Sequence, residues 1–408
     1  CAFNKELPWK RDLLNYVLLA WILVGTARVV FDFPLFGFLA VRDYAMVYYV
    51  AFFFVTQALG RDESRRRFLF RCLLIASVVM PVVFVLSEAF PAFFLGTLTL
   101  RGVRLIFFTG DLAPRFFGAA SVMLYFTAEG RHRWWIRSLA TLMILWVLSS
   151  DNRASMLGAV GALGWAAVSR FRRFTLVQTG LAAFALLVFA AFAQFSDNAW
   201  AQKRLQTMGE RAMSIVDLSG RFSYRADEGS IKTDNNQFRW VWWRSVADET
   251  MSRNPVFGLG FGYDLARGFL QTYNPDLADD FTARSPHNIF VTALGRMGLI
   301  GLALLVCLYG ILVSRTWRVV RNPASDATQV ALWVAIWPIA ISACLGVVLE
   351  GPMGAVVFWS LLGLANAYRS EPETLEREEE ASSTELRSLD EMAPTAAIRD
   401  SVQDSARS

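Results

Sequence analysis

The sequence predicts an all-α fold: a polytopic bundle of about ten transmembrane helices, with one large loop outside the membrane that contains short helices. Three observations predict it. Of the 408 residues, 55% are hydrophobic and 14% aromatic, and the mean hydropathy is +0.37, too apolar for an ordinary soluble domain of this length. Apolar runs close to the roughly 20 residues needed to cross hydrocarbon recur along most of the chain. Between them, basic residues gather on every second connection, as the preference of cytoplasmic loops for Arg and Lys requires.

Taken in order, residues 1–195 form an N-terminal membrane region with expected spans at 12–31, 36–59, 68–90, 112–128, 134–150, 154–168 and 175–195. Residues 288–368 form a second, with spans at 288–313, 330–349 and 352–368. The basic clusters are Lys5/Lys10/Arg11, Arg61/Arg65/Arg66/Arg67, Arg131/Arg133/Arg137, Arg170/Arg172/Arg173, Arg315/Arg318/Arg321 and Arg369. Their alternation places both visible ends in the cytoplasm and residues 196–287 on the opposite face. All other connections are short, and a long loop in a compact fold is usually functional. Inside it, "AQKRLQTMGERAMSIVDL" and "NQFRWVWWRSVADETMSRN" have helical periodicity. The second is expected to put Trp240, Trp243 and Val246/Ala247 near one face, suited to the membrane interface. The tail, 369–408, is polar, carries "EREEE" and lacks apolar periodicity, so a disordered cytoplasmic extension is expected.

Several classes are excluded or disfavoured. The formal charge of +5 sits in short clusters between apolar runs instead of forming a stripe, which argues against nucleic acid as a partner. Of the four cysteines, Cys72, Cys307 and Cys344 lie in apolar segments, so neither a disulfide framework nor a Cys-based metal site is expected. The outer-loop carboxylates Asp276, Asp279 and Asp280 could in principle hold a hard cation, but a solvated loop is the simpler reading, and no metal or other cofactor is expected. No internal repeat supports an inverted-repeat transporter. The chain starts at Cys1 with neither a Met nor a signal-peptide pattern, and one or two further spans are expected upstream.

Only two histidines occur. His132 falls in the basic loop "EGRHRWWIR", where a solvated role suffices, whereas His287 stands in "RSPHNIF", where the large loop re-enters the membrane, between Arg284 and Asn288. The segment continues as "HNIFVTALGRMGLIG": His-Asn, nine residues, Gly298, two residues, Gly301. Upstream, "FRWVWWRSVADETMSRNPVFGLGFG" has Arg239 leading a helix, then Asn254-Pro255, then Gly258, Gly260 and Gly262. This glycine run follows no strand, so it is not a nucleotide fingerprint and is expected to be a tight loop against the membrane. Earlier still, "LSSDNRASMLGAV" opens a span with Arg153 at the outer surface.

Together these segments resemble the O-antigen ligase and Wzy-type polysaccharide polymerase family, well over about residues 140–312 and by hydropathy elsewhere. One departure is that the ligase pattern commonly has Leu four residues after the helix-leading Arg, where this chain has Trp243. The resemblance implies a glycosyltransferase of the bacterial inner membrane, active at the periplasmic face. Its expected partners are a polyprenyl-pyrophosphate-linked glycan donor, a saccharide acceptor (lipid A-core or a growing polymer) and membrane lipids. Attack of a sugar hydroxyl on the anomeric carbon needs a base and positive charge on the departing pyrophosphate. His287, Arg239 and Arg153 are the expected catalytic residues, with Arg284, Asn288, Arg42 and Glu350 expected to bind substrate. Guanidinium groups can stand in for a divalent ion, and a single displacement inverts the anomeric centre. The rival reading, a transporter or flippase for a lipid-linked or anionic saccharide, expects charge near the bilayer midplane instead of at one surface.

Overall fold

The computed structural model describes residues 10–94, 99–100, 103–104, 113–150, 152–217, 227–273 and 283–368. Helices begin where short polar side chains can cap them. Asp12 accepts from the Asn15 N–H and opens α1 (Leu13–Phe36), which stops at Gly37 with φ 57°. The next apolar stretch is broken into α2 (Phe38–Asp43), α3 (Ala45–Tyr48) and α4 (Ala51–Leu59). Asp62 caps α5 (Glu63–Ala89), and a two-residue antiparallel pair, β1 (Thr99–Leu100) with β2 (Val103–Arg104), follows. Then come α6 (Ala113–Thr127), α7 (Arg133–Ser149), α8 (Arg153–Val168, capped by Asn152) and α9 (Arg172–Phe195). The expected loop helices are α10 (Ala199–Val216) and α11 (Asp227–Arg253), joined by α12 (Arg267–Tyr273). The chain closes with α13 (Ile289–Arg321), α14 (Ala327–Ala343) and α15 (Pro352–Ala367).

Helix covers most of each expected span, although the one at 36–59 is divided among α2, α3 and α4 and the one at 330–349 ends as helix at Ala343, so the helical, multi-pass character holds while the span bounds do not all do so. Five stretches are long and apolar enough to cross a membrane on their own: Leu13–Phe36, Phe38–Leu59, Glu63–Ala89, Arg172–Phe195 and Ile289–Arg321. The expected spans at 154–168, 330–349 and 352–368 correspond to shorter apolar helices, α8, α14 and α15. Those at 112–128 and 134–150 are helices of 15 and 17 residues, α6 and α7. The tail 369–408 and the loop carboxylates Asp276, Asp279 and Asp280 lie outside the described residues.

The centre of the bundle is α14, buried along most of its length between α6 and α8. Small residues permit this approach: a Cβ on Gly158 would stand 2.5 Å from the Pro338 carbonyl oxygen. A second core joins Phe117, Ala120 and Leu124 of α6 to Met143, Ile144 and Val147 of α7. By contrast, α5 and α9 show Phe68, Val82, Leu176 and Leu187 on the surface, an apolar face suited to lipid. At one end, a polar cluster ties four helices together. Asn15 and Gln57 exchange amide bonds at 2.8 and 3.2 Å, Asn366 donates to Gln57 at 2.5 Å, and Arg315 pairs with Asp12 at 3.3 Å.

The face expected for α11 needs correction. Trp242 (1% exposed) and Val246 are buried against Leu265, Phe269 and Leu270, with Phe238 packed beside them, while Trp240 is 52% exposed. The buried stripe runs through 238, 242, 246 and 250, at i, i+4 spacing, because α11 packs on α12 and its preceding loop, leaving Trp240 on the outer side.

Candidate active site

Two connections and the middle of α11 build the site. Residues 283–288 lead into α13, and residues 344–351 join α14 to α15. Glu350, in the second connection, is a hub: its Oε1 accepts from Ser285 Oγ at 2.7 Å and from Thr292 Oγ1 at 3.1 Å. Burial pushes its carboxyl above the usual carboxylate range, against the opposing pull of the Ser285 hydroxyl, the Arg296 charge and the Thr292 hydroxyl.

Between Ser285 and Thr292 in the sequence stands His287. Its φ is +56°, and it is the only non-glycine among the described residues with positive φ. Holding a residue with a Cβ there costs on the order of 1–3 kcal/mol, so the surroundings must enforce it. They do so from both sides. Trp243 Nε1 donates to the Pro286 carbonyl at 2.6 Å, and Asn288 caps α13, its Oδ1 accepting from the Phe290 and Val291 N–H groups at 2.9 and 3.2 Å. The His287 ring meets Trp242 edge to face, with centroids 6.1 Å apart. Trp243 thus has a physical role: its indole N–H grips the loop that carries His287.

Arg239 stands one helical turn before Trp243, hence on the same side of α11. Its Nη1 donates to the Leu345 carbonyl at 3.1 Å, in the connection that also holds Glu350. Arg153 is the first residue of α8, and the hydroxyl of Ser342, at the end of α14, reaches the carbonyl of the adjacent Ala154 at 3.1 Å. A further arginine, Arg115 of α6, is buried, and its guanidinium lies beside Gly346, where a Cβ would come within 3.0 Å of Nη2. Arg239 and Arg115, from two helices, therefore approach residues 345–346, in the connection through which Glu350 also ties the His287 loop, and α8 begins with Arg153 next to Ala154, which meets the end of α14.

Arg284 and Arg42 belong to a neighbouring network. Arg284 donates to the Gly262 carbonyl at 2.5 Å and approaches Asp264 at 3.9 Å. Arg42 pairs with Asp43 at 2.9 Å. The other oxygen of Asp43 binds Arg296 at 2.8 Å and accepts from the Gly262 N–H at 3.1 Å. Arg296, 2% exposed, also donates to the carbonyls of Gly260 (3.1 Å) and Tyr263. From α1, Asp32 accepts from the Phe261 N–H at 2.6 Å.

The loop that these charges hold fits a break in α13. At Gly298 the backbone leaves the helix (φ 65°, ψ −157°), and the groups this frees find partners in the loop. Leu259 N–H donates to the Gly295 carbonyl at 2.7 Å, and Leu299 N–H to the Pro255 carbonyl at 2.8 Å. Gly258 and Gly298 face each other across this contact, where a Cβ on Gly258 would stand 2.5 Å from the Gly298 nitrogen. The glycine run is a tight loop, as expected, but it seals a broken helix. Below it, Tyr263 donates to Glu249 at 2.5 Å, and burial together with that carboxylate pushes its hydroxyl up to about 12.

Sequence reasoning missed Arg296 and Arg115. The available signal was an ionisable residue inside an apolar helical run, "ALGRMG" and "LAPRFFGAA", which is itself a functional hypothesis by default. His132 is exposed at the start of α7, in keeping with a loop role.

The family described as O-antigen ligase matches residues 138–306, a stretch that contains Arg153, Arg239, Arg284, His287, Asn288 and Arg296 but neither Arg115 nor Glu350. No curated protein matches the chain.

Proposed function

From the match of residues 138–306 to the O-antigen ligase family, we propose that this chain is a member of that family and transfers a glycan from a polyprenyl-pyrophosphate donor to a saccharide acceptor, lipid A-core or a growing polymer. The observation that carries the reading is the approach of Arg239 and Arg115 to the α14–α15 connection, whose Glu350 binds the loop that holds His287 in a strained backbone. Permanent cations and one neutral base are what this displacement needs.

In this reading an imidazole nitrogen of His287 takes the proton of the acceptor hydroxyl. The oxygen attacks the anomeric carbon, the bond from that carbon to the pyrophosphate oxygen breaks, and the electron pair leaves with the pyrophosphate. Arg239, with Arg153 and Arg115, receives that charge through bidentate hydrogen bonds. One displacement inverts the anomeric centre, and no step calls for a metal ion. Arg284, Asn288 and Arg42 border the site and shape its rim.

The reaction side is the periplasmic face of the inner membrane. Two observations support this: the Arg-rich connections follow α4 and α13, the helices pinned at the Asp12–Gln57–Arg315–Asn366 cluster, and the His287 site sits at the opposite ends of α13 and α14.

The test is transfer from lipid-linked donor by His287→Ala. Loss of a general base costs about 100- to 10,000-fold in rate, and donor binding, which rests on the arginines, is expected to persist. Near-parent turnover removes His287 from the mechanism, and lost binding with unchanged chemistry recasts it as a pyrophosphate ligand.

A further inference from the structure

A histidine that works as a base must be aimed, and its own backbone does not favour the conformation observed. The φ of +56° at His287 lies in the left-handed region, where a side chain with a Cβ is rarely found. Something outside the loop must hold it. Ser285, two residues before His287, and Thr292, five residues after it, both donate to one oxygen of Glu350. Glu350 comes from the connection between α14 and α15 and is half-buried against these partners.

We propose that Glu350 is a positioning residue: by clamping Ser285 and Thr292 on either side of His287, it holds the backbone turn from which the imidazole acts. This rests on the reading of His287 as the base, and it replaces the expected role of Glu350 in contacting sugar. The clamp needs an acceptor oxygen, not a negative charge, because both bonds converge on Oε1. A glutamine offers the same oxygen on the same stem and cannot ionise. Geometry and charge are thereby separable.

The experiment measures kcat and KM for full-length protein in lipid nanodiscs with lipid-linked donor. Glu350→Gln is expected to stay within about threefold of the parent, whereas Glu350→Ala is expected to lose about 100-fold in kcat, the scale of a misplaced catalytic group, with KM little changed. The double variant Ser285→Ala/Thr292→Val, which removes both donors and leaves the carboxylate, is expected to match Glu350→Ala. Added to His287→Ala, Glu350→Ala is expected to cost nothing further, because a positioning residue has no effect once the group it positions is gone. Three results overturn the proposal: Glu350→Gln as inactive as Glu350→Ala, which makes the carboxylate itself the working group; full kcat in the double variant; or additive losses with His287→Ala. If Glu350→Ala does not accumulate in membranes, Glu350→Gln and the double variant decide the matter. Near-parent activity of His287→Ala sinks the underlying reading separately, whatever Glu350 does.

Discussion

Arg239 and Arg244 are five residues apart on one helix and show what separates a site arginine from a surface one. Arg239 reaches across to the Leu345 carbonyl, while Arg244 makes an exposed i,i+4 pair with Asp248 at 3.7 Å. Lys keeps the charge but not the planar fork, so Arg239→Lys is expected to lose most activity and Arg244→Lys almost none, at equal protein levels. Equal loss in both would assign the requirement to helix stability. Trp243 offers a subtler probe. Trp243→Phe deletes one hydrogen bond to Pro286, worth about 1 kcal/mol net, and a several-fold fall in kcat is expected when it is assayed beside the parent. The His287 base must be neutral to accept a proton, so the parent's rate is expected to fall toward acid pH. That acid limb should vanish in whatever residual activity His287→Ala retains.

Among the elements, α13 carries the greatest burden, since it is interrupted at Gly298 and repaired by a loop from elsewhere in the chain. Gly298→Ala would need a Cβ at φ 65° where the Val256 carbonyl already sits. A large loss of thermal stability is expected in detergent melts, and a parent-like melt would show that the break is dispensable. Arg296 locks the same loop. Truncating Arg296 leaves Asp43 with only Arg42 and the Gly262 N–H and strips a donor from the Gly260 and Tyr263 carbonyls, so Arg296→Met alone is expected to melt below the parent. Arg296→Met with Asp43→Leu is expected to melt above the sum of the single losses, and strict additivity in that cycle would show that the two act apart.

For the whole molecule the decisive quantity is orientation. The site and the Arg-rich connections lie at opposite ends of the helices, so a Cys placed at Ser230, near the start of α11, is expected to react with an impermeant label without breaching the inner membrane. Reaction only after permeabilisation would invert the topology and take the site argument with it. Purified protein is also expected to turn over in excess chelator, the arginines carrying the leaving-group charge. If chelation abolishes turnover and magnesium restores it, the outer-loop carboxylates Asp276, Asp279 and Asp280 become the leading residues.

What the sequence determined by itself is whatever repeats locally: apolar runs became helices, and Asp12, Asp62 and Asn288 cap helices near where those runs begin, because a run and a cap are read over a few neighbouring positions, whereas the breaks inside 36–59 and the end of α14 at Ala343 were not read. His287, Arg239 and Arg153 could be nominated from the sequence because their motifs are contiguous. The tertiary structure alone decided which arginines lie near one another. Arg115 and Glu350 lie 235 residues apart, yet both belong to the same α14–α15 connection, one lying against it and the other lying within it. It also decided which face of α11 is buried, since periodicity finds a stripe but not the element that covers it, and Trp242 won over Trp240 because α12 packs on that side. Above all, the left-handed turn at His287 could not be read from "SPHN", because that conformation is imposed by partners up to 65 residues away that outweigh the local preference of the backbone.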